Sequence, residues 1–156
     1  HHKELQKLFR RGNTITDGRN VSREEMEQLY HQTHCFIMPT MGEGWGLTPA
    51  EAMSSGCPTI TTEYSGMLEY ANRRNCYFIP HTLKRIEASM GGPSVTHSDG
   101  KYEFAIVDLP GLAKTMASVM HDYDNALVTG KRASKDMQAF TWERSAQGII
   151  DIVRNL

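Results

Sequence analysis

The sequence predicts an α/β domain, a parallel sheet with helices on both faces. Short apolar or β-branched runs at residues 35–38, 58–62 and 76–79 alternate with helical patterns. Runs of this kind suit strands covered on both faces, and regular strand–helix alternation implies parallel pairing. The helical segments also begin and end on suitable chemistry, with Ser22-Arg-Glu-Glu25 as a capping box and Gly56 as a helix stop. A chain of 156 residues, 39% hydrophobic and 22% charged, can form one such domain with its own core.

Taken in order, residues 14–17 are β-branched and suit a strand, closed by a turn at 18–20. The helix opened by Ser22 carries Met26, Leu29 and Tyr30 on one face and ends near His34. The first buried strand, residues 35–38, stops at Pro39. A glycine-rich loop follows from Gly42 to Gly46. Thr48-Pro-Ala-Glu51 reads as a second capping box, with Thr48 at N-cap, Pro49 at N1 and Glu51 at N3. Residues 58–62 form the next strand, a short helix covers 67–71, and residues 76–79 form a third strand. Residues 82–88 and 102–107 suit the two arms of a hairpin. Pro110 opens a helix with Leu112, Met116, Val119, Met120 and Tyr123 on one face. A shorter helix is expected over 131–139. The last starts after Thr141, and its stripe of Trp142, Ala146, Ile149, Ile150, Val153 and Leu156 reads as core.

Composition excludes several classes. The net charge of −1 provides no general basic footprint for nucleic acid. No apolar run approaches the ~20 residues of a membrane span, and no signal-peptide pattern is read in these residues. Cys35, Cys57 and Cys76 are odd in number and lack zinc-like spacing, so they read as reduced, mostly buried thiols in a cytoplasmic protein. His31 and His34 are spaced as a metal pair, but His81, His97 and His121 are scattered, and no metal site is expected. Arg73-Arg74 reads as a solvated turn rather than a phosphate clamp.

The chemistry concentrates between Met38 and Glu51. A strand ends, glycines 42, 44 and 46 free the backbone for positive φ and close approach, and a helix N-terminus follows. Free N–H groups and the positive dipole end favour an anion such as phosphate. Glu43 and Glu51 bracket the loop, and carboxylates accept hydrogen bonds from paired sugar hydroxyls. A ligand holding both phosphate and sugars would use every part. The glycine spacing matches neither the dinucleotide fingerprint nor a P-loop.

From Pro39 to Thr59 the run Pro-Thr-Met-Gly-Glu-Gly-Trp-Gly-Leu-Thr-Pro-Ala-Glu-Ala-Met-Ser-Ser-Gly-Cys-Pro-Thr closely resembles the signature of retaining glycosyltransferases of family 4. Those enzymes carry Glu-Gly-Phe-Gly-Leu, then Glu-Ala-Met, then Gly-x-Pro, with the two glutamates spaced as Glu43 and Glu51 are. Trp45 stands where the family has Phe. Ser65-Gly66 and Glu69 resemble its Gly-Gly-x-x-Glu turn, with Ser65 in place of the first Gly. Phe140-Thr-Trp-Glu143 resembles its approach to the final helix.

The resemblance implies the later part of the C-terminal, Rossmann-like donor domain of a two-domain GT-B type fold. It places Glu43, the catalytic candidate, near the 3- and 4-hydroxyls of the donor sugar. The backbone of Gly44, Trp45, Gly46 and Leu47 would line sugar and diphosphate, Thr48 would sit by the diphosphate, and Glu51 would hold the ribose hydroxyls. Glu51 also has its capping duty as an alternative. Trp45 has packing as one, and Glu69 an idle place on a surface helix. The implied donor is a UDP-, GDP- or ADP-sugar. Retaining transfer needs no essential metal and no other cofactor, and the implied acceptor is a glycan or lipid-linked molecule. Peripheral membrane association of the full-length enzyme is a further expectation.

The family also carries a Gly-Arg pair and a Lys early in this domain, which neutralise the leaving diphosphate. Residues 1–13 do not match them; Arg10-Arg11-Gly12 is basic but differently ordered. The chain, opening on His1-His2, therefore reads as starting inside the donor domain, without the N-terminal acceptor domain and inactive when isolated. The rival readings are a nucleotide-sugar epimerase, a glycan phosphorylase, and a non-catalytic nucleotide-sugar-binding module. The phosphorylase would need a cofactor lysine that the sequence does not identify. A response-regulator-like domain would rest on Asp17 alone.

Overall fold

The computed structural model describes residues 9–11, 14–16, 20–87 and 101–155. Its centre is a parallel sheet of β3 (Phe36–Met38), β4 (Thr59–Thr62) and β5 (Tyr77–Ile79), ordered β3-β4-β5. The predicted parallel α/β architecture is therefore present. β4, in the middle, is buried at every residue. Three of its four residues are threonines, which satisfy their hydroxyls inside the fold. Thr59 donates to the Cys57 carbonyl at 3.0 Å, Thr61 to that of Met38 at 3.1 Å and Thr62 to that of Thr40 at 2.7 Å. Two of these bonds tie β4 to the end of β3, where the glycine loop departs. Buried hydroxyls without such partners would be destabilising.

β1 (Phe9–Arg11) and β2 (Thr14–Thr16) pair antiparallel with each other. The strand expected at Thr14 is thus one arm of a hairpin, and not a member of the parallel sheet. α1 (Arg23–Gln32) starts on the predicted capping box: Ser22 Oγ accepts from Glu25 N–H at 3.2 Å, and Glu25 accepts from Ser22 N–H at 2.7 Å. Tyr30 is buried, Met26 half-buried and Leu29 exposed. β6 (His81–Glu87) and β7 (Lys101–Val107) form the expected hairpin.

α2 (Leu47–Ser54) departs from expectation. Its N-cap is Gly46, in the left-handed region at φ 79°, and no side chain caps it. Thr48 and Pro49 are therefore the second and third helical residues, Glu51 lies beyond the first turn, and the Thr48–Glu51 capping box does not form. The cause is tertiary. Gly46 is pinned beneath Tyr70, whose hydroxyl donates to the Gly46 carbonyl at 2.7 Å, so the chain turns into the helix two residues early. The stop behaves as predicted, with Gly56 at φ 76°.

The later helices are α3 (Leu109–His121), α4 (Tyr123–Met137) and α5 (Trp142–Arg154). α4 replaces the shorter helix expected over 131–139. It runs through Gly130, which is buried against the turn at Gly56. On α3 only Gly111 and Val119 are buried, and Met120, expected on the inner face, is 78% exposed. The core reading of the final stripe is overturned for Trp142 to Val153: α5 buries none of its described residues, and Trp142 is 89% exposed; Leu156 lies outside the described residues. A helical apolar stripe marks a face that demands cover, which periodicity alone does not supply. Among the described residues, the core consists of three clusters. Met53, Met67 and Tyr70 lead the one beside the glycine loop, Ile60 and Ile79 the one around the sheet, and Tyr30, Ala52 and Cys57 the one between α1 and α2.

Among the described residues, no helix is long and apolar enough to cross a membrane. The cysteines are unpaired and at least half-buried, and burial pushes the Cys35 and Cys76 thiols up to about 12. They are poor nucleophiles at neutral pH.

Candidate functional site

The loop from Met38 to α2 leaves the carboxyl end of β3, where open α/β sheets bind ligands. It is held from three sides. At its start, Thr40 Oγ1 accepts from Gly42 N–H at 3.2 Å, and Ala105 N–H of the hairpin donates to the Met41 carbonyl at 2.9 Å. At its middle, the turn opening the 3-10 helix Ser65–Glu69 grips Glu43 by both backbone groups. Glu43 N–H donates to Ser65 Oγ at 2.8 Å, and Gly66 N–H donates to the Glu43 carbonyl at 3.2 Å. At its end, Tyr70 holds Gly46.

This grip accounts for both residues of the Ser65-Gly66 pair. Ser65 has φ 63°, the left-handed region that favours glycine. Holding a serine there costs about 1 kcal/mol or more, partly offset by the hydroxyl's bond to Glu43. Gly66 is needed for space, since a Cβ on it would lie 1.9 Å from the Gly44 carbonyl oxygen. Ser65→Gly removes the strain and the bond together, so its stability is expected within about 1 kcal/mol of the parent. Ser65→Ala keeps the strain and loses the bond, which predicts about 1 kcal/mol of destabilisation in urea unfolding. Equal midpoints for the two variants would contradict this account.

Of the three loop glycines, only Gly46 adopts positive φ. Gly44 has open space where a Cβ would stand. The expectation of left-handed backbone at Gly42 and Gly44 therefore does not hold.

Glu43, Gly44, Trp45, Gly46, Leu47 and Thr48 line one cavity of about 460 Å³ at the N-terminus of α2. The Glu43 side chain is exposed there, its backbone fixed and its carboxylate free to meet a ligand. Thr48 is exposed, and its hydroxyl lies 3.2 Å from Met38 Sδ. Trp45 is half-buried: its ring centroid is 5.1 Å from that of Tyr70 and 5.5 Å from that of Phe140. The Trp45 ring is therefore a packing group that ties the loop to the segment before α5. The hydroxyl proton of Tyr70 is held, its acidity lowered chiefly by burial, with the nearby Cys76 and Glu43 adding to it.

Two sequence candidates lie outside this cavity's lining. Glu51 is exposed on α2, and its Oε2 accepts from Tyr30 Oη at 3.1 Å. Glu69 is exposed at the end of the 3-10 helix. A second cavity of about 480 Å³ runs along β5, lined by Glu63, Arg73 and His81 among others. Arg73 is paired with Glu63, in keeping with a solvated turn. Among the described residues, no cluster of His, Cys, Asp or Glu could hold a metal ion; His97 lies outside them. Tyr30, Tyr70 and Ala105 were not legible as site neighbours, because their partners are separated from them by 21, 24 and 64 residues along the chain.

A glycine-opened helix N-terminus beside an exposed carboxylate, at the carboxyl end of a parallel strand, is the ligand-binding position of a Rossmann-like α/β domain. The chain belongs to glycosyltransferase family 4: the family model described as "Family 4 Glycosyltransferase in conflict systems" matches residues 15–149. It is 24% identical over 94% of its length to the sulfoquinovosyl transferase SQD2 of Arabidopsis thaliana, covering 24% of that protein. It is 22% identical over 85% of its length to the D-inositol 3-phosphate glycosyltransferase of Corynebacterium urealyticum, covering 26% of it. Over a shorter stretch, 26% of this chain and 5% of the relative, it is 45% identical to the glycogen [starch] synthase of Dictyostelium discoideum. The chain thus spans about a quarter of the length of the relatives it matches most extensively.

Proposed function

We propose that this chain is the donor-binding portion of a retaining glycosyltransferase and takes a nucleotide-sugar at the loop between β3 and α2. Glu43 meets the donor sugar near its 3- and 4-hydroxyls and is the catalytic candidate. The backbone of Gly44 to Leu47 lies along sugar and diphosphate, with the Trp45 ring supporting it from behind. Thr48 and the uncapped start of α2 face the diphosphate, and Glu51 accepts the ribose hydroxyls. Glu69 stays a secondary candidate. The reading invokes no essential metal or other cofactor, and it leaves a glycan or lipid-linked acceptor to parts of the enzyme beyond these residues.

The observation that carries it is the double backbone grip on Glu43. Fixing the main chain while leaving the carboxylate exposed above a cavity is the arrangement of a preorganised ligand group. An exposed loop glutamate with no ligand has no such need.

Calorimetric titration with UDP-, GDP- and ADP-sugars tests this. One of the three is expected to bind, and Glu51→Ala is expected to weaken it roughly 10- to 100-fold, since hydrogen bonds to a charged group contribute about 1.5–3 kcal/mol. No binding to any of them by the parent chain would sink the proposal. The 156-residue chain is expected to transfer no sugar, for want of the cations that neutralise the leaving diphosphate. Robust turnover would overturn that part.

A further inference from the structure

The Glu51 carboxylate has one bonding partner among the described residues, and it comes from another helix. Tyr30 of α1 donates its phenol proton to Glu51 Oε2 at 3.1 Å. Among the described residues, this hydroxyl has no other hydrogen bond. The Tyr30 ring is 6% exposed, packed in the cluster with Ala52 and Cys57 and set edge-on to Phe36 at 5.8 Å. Phenylalanine would fill that place equally well. The hydroxyl is spent on a part-buried bond to Glu51.

We propose that Tyr30 is a positioning residue for ribose recognition: it holds the Glu51 carboxylate in the plane and rotamer that a vicinal diol requires. This rests on the donor-binding role of Glu51 given above. An exposed glutamate on a helix samples several rotamers, and immobilising a side chain of this kind on binding costs about 0.5–1.5 kcal/mol. A bond from a rigid, buried phenol meets that cost in advance. It engages Oε2 and leaves Oε1, together with the second lone pair of Oε2, open to two ribose hydroxyls. The phenol remains a donor throughout the neutral range, because burial first and the Glu51 charge second push Tyr30 up to about 12.

The position is suited to the task. Tyr30 lies on the last turns of α1, whose C-cap Thr33 leads directly into β3. The same short segment therefore sets both the strand that delivers the glycine loop and the phenol that aims Glu51. α1 and α2 meet through Tyr30, Ala52 and Cys57, so the donor and acceptor of this bond sit on helices already packed together.

The test is a comparison of nucleotide affinities in the 156-residue chain, using UDP, GDP and ADP and the 2′,3′-dideoxy form of each. The parent chain is expected to prefer the ribose form of the nucleotide it binds. Tyr30→Phe is expected to reduce that preference about fivefold to tenfold while leaving dideoxy affinity unchanged. Glu51→Ala removes the preference, and the double variant is expected to show no further loss, because Tyr30 acts only through Glu51. If Tyr30→Phe keeps the full preference while Glu51→Ala loses it, the role of Tyr30 is refuted and the donor site stands. If Tyr30→Phe weakens ribose and dideoxy forms equally, its role is structural and the inference again fails. If Glu51→Ala leaves the preference intact, or no nucleotide binds the parent chain, the site assignment falls and Tyr30 with it.

Discussion

Gly66→Ala is expected to lower stability by roughly 3 kcal/mol and to abolish measurable donor binding. A Cβ on Gly66 would stand 1.9 Å from the Gly44 carbonyl oxygen, 2.6 Å from its carbon and 3.0 Å from Trp45 Cα. All three are backbone atoms, so no rotamer change relieves the clash; the loop or the turn must move by more than an ångström. Either movement breaks the Gly66 N–H bond to the Glu43 carbonyl, and displacing the loop carries Trp45 out of its contacts with Tyr70 and Phe140. The cost combines overpacking, typically 1–3 kcal/mol, with about 1 kcal/mol for the lost bond. In a domain of this size it corresponds to a fall of roughly 6–12 °C in Tm. Thermal unfolding followed by circular dichroism, with a nucleotide-sugar titration on the same sample, checks both halves. A variant that melts with the parent and binds like it would show that the turn and the loop are not in contact.

The same geometry shows why Gly66 is only partly legible in the sequence. As a motif it is visible, from its likeness to a Gly-Gly-x-x-Glu turn. What the motif requires physically is not: Ser65 supplies the positive φ and Gly66 supplies the space, two separate reasons for two adjacent small residues. The α/β alternation, the capping box at Ser22 and the stop at Gly56 are readable because each depends on residues within a few positions of one another. The start of α2 escapes such a reading because a long-range contact decides it. Thr48-Pro-Ala-Glu51 satisfies the local pattern of a capping box, yet Tyr70, 24 residues away, fixes Gly46 as the N-cap. The stripe on α5 fails for the complementary reason. Its period is correct, but period does not state what covers a face, and here Ile149 and Val153 remain 64% and 63% exposed. The bond from Tyr30 to Glu51 has no local signature at all, since it joins two helices across a strand.

Two glycine-to-alanine changes in helices are expected to act with opposite signs. Alanine is the better helix former by about 1 kcal/mol, so each change gains that much where space permits. Gly148 on α5 has nothing within 4 Å of the place a Cβ would take, and Gly148→Ala is expected to stabilise by up to about 1 kcal/mol. Gly130 on α4 is the reverse case. Its Cβ would meet the Gly56 carbonyl oxygen at 2.2 Å, the Gly56 carbon at 3.1 Å and Pro58 N at 3.2 Å. Gly56 cannot yield easily, because its φ of 76° ends α2 and its N–H bonds back to the Met53 carbonyl. Nor can α4 retreat freely, since Ser134 donates to the Ser54 carbonyl at 2.8 Å one turn further on. Overpacking therefore outweighs the propensity gain, and Gly130→Ala is expected to destabilise by up to about 2 kcal/mol net. The displaced Gly56–Pro58 turn feeds β4, which is tied by Thr61 and Thr62 to the end of β3, so donor affinity should fall as well. Urea unfolding of the two single variants decides the matter. Midpoints that both rise would show that helix propensity governs both sites and that the packing of α4 on the end of α2 is looser than these distances state.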